Sequence, residues 1–346
     1  MTQTLGSVDE RPGEPGSSQS GRPPSLATRG RNLIGDRAFK YATVVAALLV
    51  LAVLLLILVT TLRQAWPAFR MMGFRFLTDS TWQPNAPTEP GQAPQEFGAL
   101  ALIYGTALVS LIALIIAVPV SIAIALFITE LAPGRVRGIV VTIVDLLAAI
   151  PSVVFGLWGI LVFTQWANPI YNSIHQALGP IPVLGALFGP NSAGRNFCSA
   201  GIIVAVMIIP IITSITREVF ATVPAADKQA ALALGATRWE MIKGAVFPHS
   251  FGGVVGAIML GLGRAMGETI AVALVVGSSI QITSNLFASG NTVAAIIALQ
   301  FGESGGVFTA ALVGLGVVLF LLTIVINYIA RFVVRRAEIR MRGAAA

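Results

Sequence analysis

Residues 41–62 read Tyr41-Ala42-Thr43-Val44-Val45-Ala46-Ala47-Leu48-Leu49-Val50-Leu51-Ala52-Val53-Leu54-Leu55-Leu56-Ile57-Leu58-Val59-Thr60-Thr61-Leu62, a run of 22 residues without a charge. A helix needs about 20 predominantly apolar residues to cross a bilayer core. Runs of comparable length recur at 97–129, 138–167, 197–216, 250–282 and 306–330. Pro119 interrupts the second run and Pro210 lies near the end of the fourth. Asp145 stands near the start of the third, where Pro151 is expected to kink the helix. The fifth is rich in glycine and contains Arg264 and Glu268. The expected architecture is all-α, a polytopic membrane protein with six transmembrane helices.

Composition agrees. Charged residues are 11% of the chain and hydrophobic ones 55%, whereas a soluble domain carries about 25% charge. So few charges cannot cover the surface of a soluble 346-residue protein. The net charge of +7 does not point to nucleic acid, because the basic residues flank apolar runs as membrane topology requires. With the N-terminus inside, the inner segments hold 17 of the 22 Lys and Arg and the outer loops four. Both termini are therefore expected in the cytoplasm.

Residues 1–40 are polar and rich in Pro, Gly and Ser, and are expected to form a disordered cytoplasmic tail. The permease domain is expected over 41–335, with a second cytoplasmic tail at 336–346. The outer loops, 63–96 and 168–195, are long and rich in Pro, Asn and aromatics.

Several chemistries are excluded. None of the three lysines, Lys40, Lys228 and Lys243, is followed by Ser or Thr, so no phosphate-binding P-loop is present. A single cysteine, Cys198, and two histidines, His175 and His249, leave no basis for a metal centre. No cofactor is expected. Gly302-Glu303-Ser304-Gly305-Gly306 matches a serine-hydrolase elbow in letters only, since that motif needs a strand–turn–helix context.

The connection 217–248 is the most informative polar segment. Pro224 suits the first turn of a helix that is Ala-rich through Leu234, and Gly235 is placed as a left-handed stop. Thr237 and Glu240 have capping-box spacing for a second short helix, which Pro248 is expected to end. On local physics alone an ordinary amphipathic loop fits equally well.

In the fifth run, Arg264 and Glu268 are four residues apart, so a continuous helix would bring them onto one face as an intramembrane ion pair. Such a pair has two readings, a structural brace or part of a substrate path. Gly252, Gly256, Gly263 and Gly267 thin the same helix. An Arg there suits an oxyanion, whose geometry its planar fork matches.

Two family resemblances rest on these segments. Gln229-Ala230-Ala231, Gly235 and Phe247-Pro248 resemble the EAA loop of ABC-importer permeases, with Gln229 in place of the acid and Ala245 in place of an Ile. The stretch Gly263-Arg264-Ala265-Met266-Gly267-Glu268-Thr269-Ile270-Ala271-Val272 is similar to the signature of phosphate-importer permeases. Phe97-Gly98-Ala99-Leu100, Ile103-Tyr104-Gly105-Thr106, Thr129-Glu130-Leu131-Ala132-Pro133 and Gly73–Thr78 with Trp82 look like the PstC member. The resemblance implies the type I ABC importer permease fold in a bacterial plasma (inner) membrane. It implies import of inorganic phosphate by alternating access, without covalent chemistry in this chain. It implies as partners a second, PstA-like permease, two PstB-like ATP-binding subunits and an extracytoplasmic PstS-like phosphate-binding protein. Arg264, Glu268 and Thr269 would line the substrate path; Gln229, Ala230, Ala231, Gly235 and Pro248 would couple to the ATPase. Relatives that import sulfate or molybdate have Phe where this chain has Thr269, which leaves another oxyanion as an alternative. A channel or secondary transporter is the alternative of a different class, and it has no use for a docking loop.

Overall fold

The computed structural model describes residues 33–84 and 95–343. Among the described residues fourteen α-helices follow in chain order: α1 Leu33–Met72, α2 Arg75–Thr78, α3 Leu100–Leu126, α4 Gly134–Ala149, α5 Ser152–Trp158, α6 Thr164–Leu178, α7 Pro182–Leu187, α8 Phe197–Ala221, α9 Ala225–Ala233, α10 Arg238–Met241, α11 Phe247–Met266, α12 Ile270–Val275, α13 Val293–Gln300 and α14 Val307–Gly343. Among the described residues six helical stretches are long and apolar enough to cross a membrane: Gly35–Met72, Leu100–Leu131, Ser152–Leu178, Phe197–Ala221, Arg238–Gly267 and Val307–Phe332. π-Helical turns at Phe127–Leu131, Gly159–Phe163 and Ile242–Val246 join neighbouring helices.

The boundaries differ most from the sequence reading in the first, third and fifth spans. Helix α1 begins at Leu33, inside the expected tail, and runs ten residues past Leu62; residues 1–32 and 344–346 lie outside the described residues. The expected third span, 138–167, is instead two helices. Ile150 and Pro151 are extended, with ψ of 128° and 141°, so the chain breaks there instead of kinking. A proline clashes with a helical conformation at the residue before it. Helix α4, with Arg135, Arg137 and Asp145, is separate, and the span runs over Ser152–Leu178. The expected fifth span also breaks, at Gly267–Thr269 between α11 and α12.

Two compact units are distinguished, one ending at Leu56 and one from Ile57 onward. The described part of the first is the N-terminal stretch of α1, whose side chains from Gly35 on are exposed. In the second, α8 packs between α3 and α11. The buried positions of α3 recur every three or four residues, at Ala101, Gly105, Val109, Ala113, Ala117, Ser121 and Ala125. That is one helical face, and it is made of small residues that let the backbones approach closely. Ser121 Oγ donates to the Ile209 carbonyl at 3.1 Å across the α3–α8 contact. Gly105 has no room for a side chain: an added Cβ would fall 2.0 Å from the Asn291 carbonyl oxygen. The segment between α12 and α13 is thus packed into the core, with Phe287, Asn291 and Thr292 buried.

The end of α1 beyond Leu56 belongs to a second cluster. Ala68 packs there with Phe76, Trp82, Phe97, Leu102, Ile296 and Leu315. A two-residue antiparallel pairing sets Trp82 opposite Phe97, and Trp82 Nε1 donates to Gln300 Oε1 at 2.9 Å. Asp79 Oδ1 accepts the Thr81 N–H at 3.0 Å. Backbone and side-chain hydrogen bonds from Thr81 hold its carboxyl below the ordinary value.

Candidate substrate path and coupling elbow

Arg264 lies in the last turn of α11. Gly267 then stops the helix, and α12 starts at Ile270 with Thr269 as its N-cap. This break overturns the expected face-sharing pair. Among the described residues no ion pair joins Arg264 and Glu268; the two within 4 Å are Lys228–Glu130 and Arg217–Glu218. Glu268 is 7% exposed, and its Oε1 accepts the Ala271 N–H at 3.4 Å. A carboxylate is favoured at the N-terminus of α12, where free N–H groups point at it. A charge pattern at spacing four cannot reveal this, because the pattern presumes an unbroken helix.

Arg264 faces a different neighbourhood. It is exposed on the isolated chain and lines a cavity of about 840 Å³ between α11 and α14. Gly252, Gly256 and Gly263 of α11 share that lining with Asn327, Arg331 and Arg335 of α14. Neither Glu268 nor Thr269 borders it. Of the three residues expected on the path, only Arg264 meets the cavity. The α14 residues were missed because Arg331 and Arg335 read as ordinary positive flank. Asn327, a polar residue inside the apolar span, was the available signal.

The second expected site is an elbow between α8 and α11. Pro224 is the N-cap of α9, one residue ahead of the expected position. Gly235 takes φ +86°, a left-handed conformation that only glycine adopts without cost. The capping box of α10 is complete: Glu240 N–H donates to Thr237 Oγ1 at 3.3 Å, and Thr237 N–H donates to Glu240 Oε2 at 2.8 Å. Pro248 does not end a helix. It lies at the start of α11, directly after the π turn Ile242–Val246 and inside the continuous helical span Arg238–Gly267.

Gln229 and Ala230 are exposed, as is the tip of the elbow, with Leu234 90% and Trp239 65% exposed. Ala231 is turned inward. It packs against the cluster of Ala125, Phe220, Val223, Met241 and Ile242. The elbow is tied to the end of α3 by a contact that sequence spacing could not show. Lys228 Nζ lies 2.5 Å from Glu130 Oε1, and Arg238 Nη1 donates to the Glu130 carbonyl at 3.4 Å.

Six apolar spans among the described residues and an exposed helical elbow in one inter-span connection define a polytopic membrane protein with a polar surface element between two of its spans. The binding-protein-dependent transport system inner membrane component family matches residues 117–342. Two solved structures carry the same fold. A bacterial alginate ABC transporter in complex with an alginate pentasaccharide-bound periplasmic protein aligns over 89% of this chain and 98% of its own, with a TM-score of 0.55 and 18% identity. A bacterial ABC transporter involved in alginate import aligns over 86% and 96%, with a TM-score of 0.51 and 17% identity. Sequence narrows the class further. Phosphate transport system permease protein PstC of Mesorhizobium japonicum is 40% identical over 91% of this chain and 94% of its own length. PstC of Xylella fastidiosa is 40% identical over 89% and 94%, and PstC 2 of Mycobacterium tuberculosis 40% over 86% and 91%. The chain belongs to the PstC family of binding-protein-dependent permeases, multi-pass proteins of the bacterial inner membrane.

Proposed function

We propose that this chain forms half of the membrane pathway of an ATP-driven importer of inorganic phosphate, with Arg264 meeting the translocating anion. The observation that carries the reading is the placement of Arg264: a guanidinium with no carboxylate within 4 Å among the described residues, on a glycine-thinned helix, lining a cavity of about 840 Å³. An arginine in an apolar span costs from about 2.5 kcal/mol upward unless it is paired or hydrated. A passing phosphate supplies that pairing transiently, through charge-assisted hydrogen bonds to the planar fork. Glu268 acts on Arg264 indirectly, by accepting the Ala271 N–H at the start of α12 beside the break that ends α11, and Thr269 is the N-cap residue at that break.

The same reading assigns the partners. A PstA-like permease completes the pathway, and a PstS-like protein delivers phosphate from outside. Two PstB-like ATPases drive the cycle, one against the α9–α10 elbow and one against the second permease. The termini and the elbow are cytoplasmic. Leu232, Leu234 and Trp239 supply an apolar tip for a groove in the ATPase, with Gln229 and Ala230 beside it. Gly235 sets the angle between α9 and α10, and Pro248 starts the helix that carries the movement to Arg264. Closure of the ATPase dimer moves the elbow, and α11 transmits the motion. The test is phosphate uptake by membranes carrying Arg264→Gln, alongside the amount of assembled complex. Loss of uptake in an assembled complex supports the reading.

A further inference from the structure

The cavity that Arg264 lines extends along α14, and its α14 wall has a chemistry of its own. Asn327, Arg331 and Arg335 recur every four residues, so they form one stripe on one face of the helix. Each step rises about 6 Å, which gives a donor ladder about 12 Å long. Asn327 and Arg331 lie within the apolar span that ends at Phe332. The need for positive charge at the inner end of a span does not explain this stripe, because Arg336 satisfies it equally and does not line the cavity.

Two further observations concern what the cavity is for. Among the described residues no Asp or Glu borders it, and none of Arg264, Arg331 and Arg335 has a carboxylate within 4 Å. Three like charges around one water-accessible space repel each other unless an anion joins them. The floor is also kept open. An added Cβ at Gly256 or Gly263 would meet nothing within 4 Å. Gly253 and Gly261 of the same helix instead pack against Val219 and Ile212. The first pair is therefore not needed for helix packing within this chain, and it leaves room beside the arginines.

We propose that Asn327, Arg331 and Arg335 form an inner phosphate-group site, reached from Arg264 along the open face of α11. The proposal rests on the reading of Arg264 as part of the anion path. Its ligand chemistry is a phosphate oxyanion, held by arginine forks and by the Asn327 amide. Free inorganic phosphate leaving toward the cytoplasm has that chemistry, and so does the headgroup of an anionic phospholipid.

The experiment reconstitutes the whole complex in vesicles of phosphatidylcholine alone, and of phosphatidylcholine with phosphatidylglycerol. It measures radiolabelled phosphate uptake and ATP hydrolysis per assembled complex. The variants are Arg331→Gln, Arg335→Gln, Arg331→Lys, Arg336→Gln and Arg264→Gln. Uptake should fall by about tenfold or more in Arg331→Gln and Arg335→Gln, with partial recovery in Arg331→Lys, and stay within about twofold of wild type in Arg336→Gln. A deficit of the same size in both vesicles assigns the site to free phosphate. A deficit confined to vesicles with phosphatidylglycerol assigns it to the lipid headgroup. Arg331→Gln and Arg335→Gln indistinguishable from Arg336→Gln in both vesicles would overturn the site. If Arg264→Gln is then inactive, only this inference falls; if it transports normally, the reading of Arg264 falls too. Gly256→Leu gives an independent check. It should block uptake without loss of assembly if the passage is used, and normal uptake in that variant counts against it.

Discussion

Lys228 of α9 and Glu130 of the π turn after α3 form an ion pair, Nζ to Oε1 at 2.5 Å, across 98 residues of sequence. The Glu130 side chain is 8% exposed and that of Lys228 21%. The pair fastens the α9–α10 elbow to the far end of α3, which packs along α8. Glu130 lies within the π-helical turn Phe127–Leu131, a feature frequent at functional sites.

Breaking that pair should separate the ATPase cycle from transport. Glu130→Gln and Lys228→Met each remove one charge and leave the other largely buried, at a cost of about 1–3 kcal/mol. The expected outcome is a complex that hydrolyses ATP while transporting less phosphate per ATP. The exchanged pair Glu130→Lys with Lys228→Glu should recover part of the ratio. A normal transport-to-hydrolysis ratio in both single variants would remove the pair from coupling.

The elbow's tip should govern motor binding without governing the permease's own stability. Leu234→Asp changes a side chain that is 90% exposed, so the permease should accumulate normally while the ATPase subunit is lost on purification. Gly235→Ala places a Cβ at φ +86°, which costs about 1–2 kcal/mol, and Gly235→Pro cannot adopt that angle at all. Ala231→Glu differs in kind. Its side chain points into the cluster around Phe220 and Met241, so it should lower the amount of folded permease. Co-purification of the ATPase and the melting temperature of the complex separate the two effects.

Much of this elbow is legible in the sequence because cap chemistry is local. Thr237 with Glu240, and Gly235 after an Ala-rich run, announce their own geometry within a few residues. The spans are legible for a similar reason: an uncharged run of sufficient length has few alternatives. Breaks inside spans are harder. Pro151 could have kinked one helix, but the extended Ile150 makes two. The stop at Gly267 lies inside an apolar run that continues to Ile282, so nothing in the hydropathy marks it. The pairing of Lys228 with Glu130, and the meeting of Arg264 with Arg331 and Arg335, depend on which helices become neighbours. Spacing along one chain segment carries no record of that.

Sidedness is decided by basic residues near the spans. A reporter joined after Arg342 should be active only in the cytoplasm, and one inserted between Gln83 and Glu96 only outside. The opposite result at either position would reverse the orientation and move the elbow away from the ATPase.

Because Glu268 is held at the start of α12 and has no ion pair with Arg264, Arg264→Gln strands no partner charge. The variant complex should therefore assemble and melt within about 1 kcal/mol of wild type. The deciding measurement is phosphate uptake by that assembled complex, with loaded binding protein and ATP supplied. The expected result is a loss of about a hundredfold, with Arg264→Lys recovering only a small part, since a point charge replaces a fork. Uptake near the wild-type rate in Arg264→Gln would contradict it and leave Arg264 outside the path.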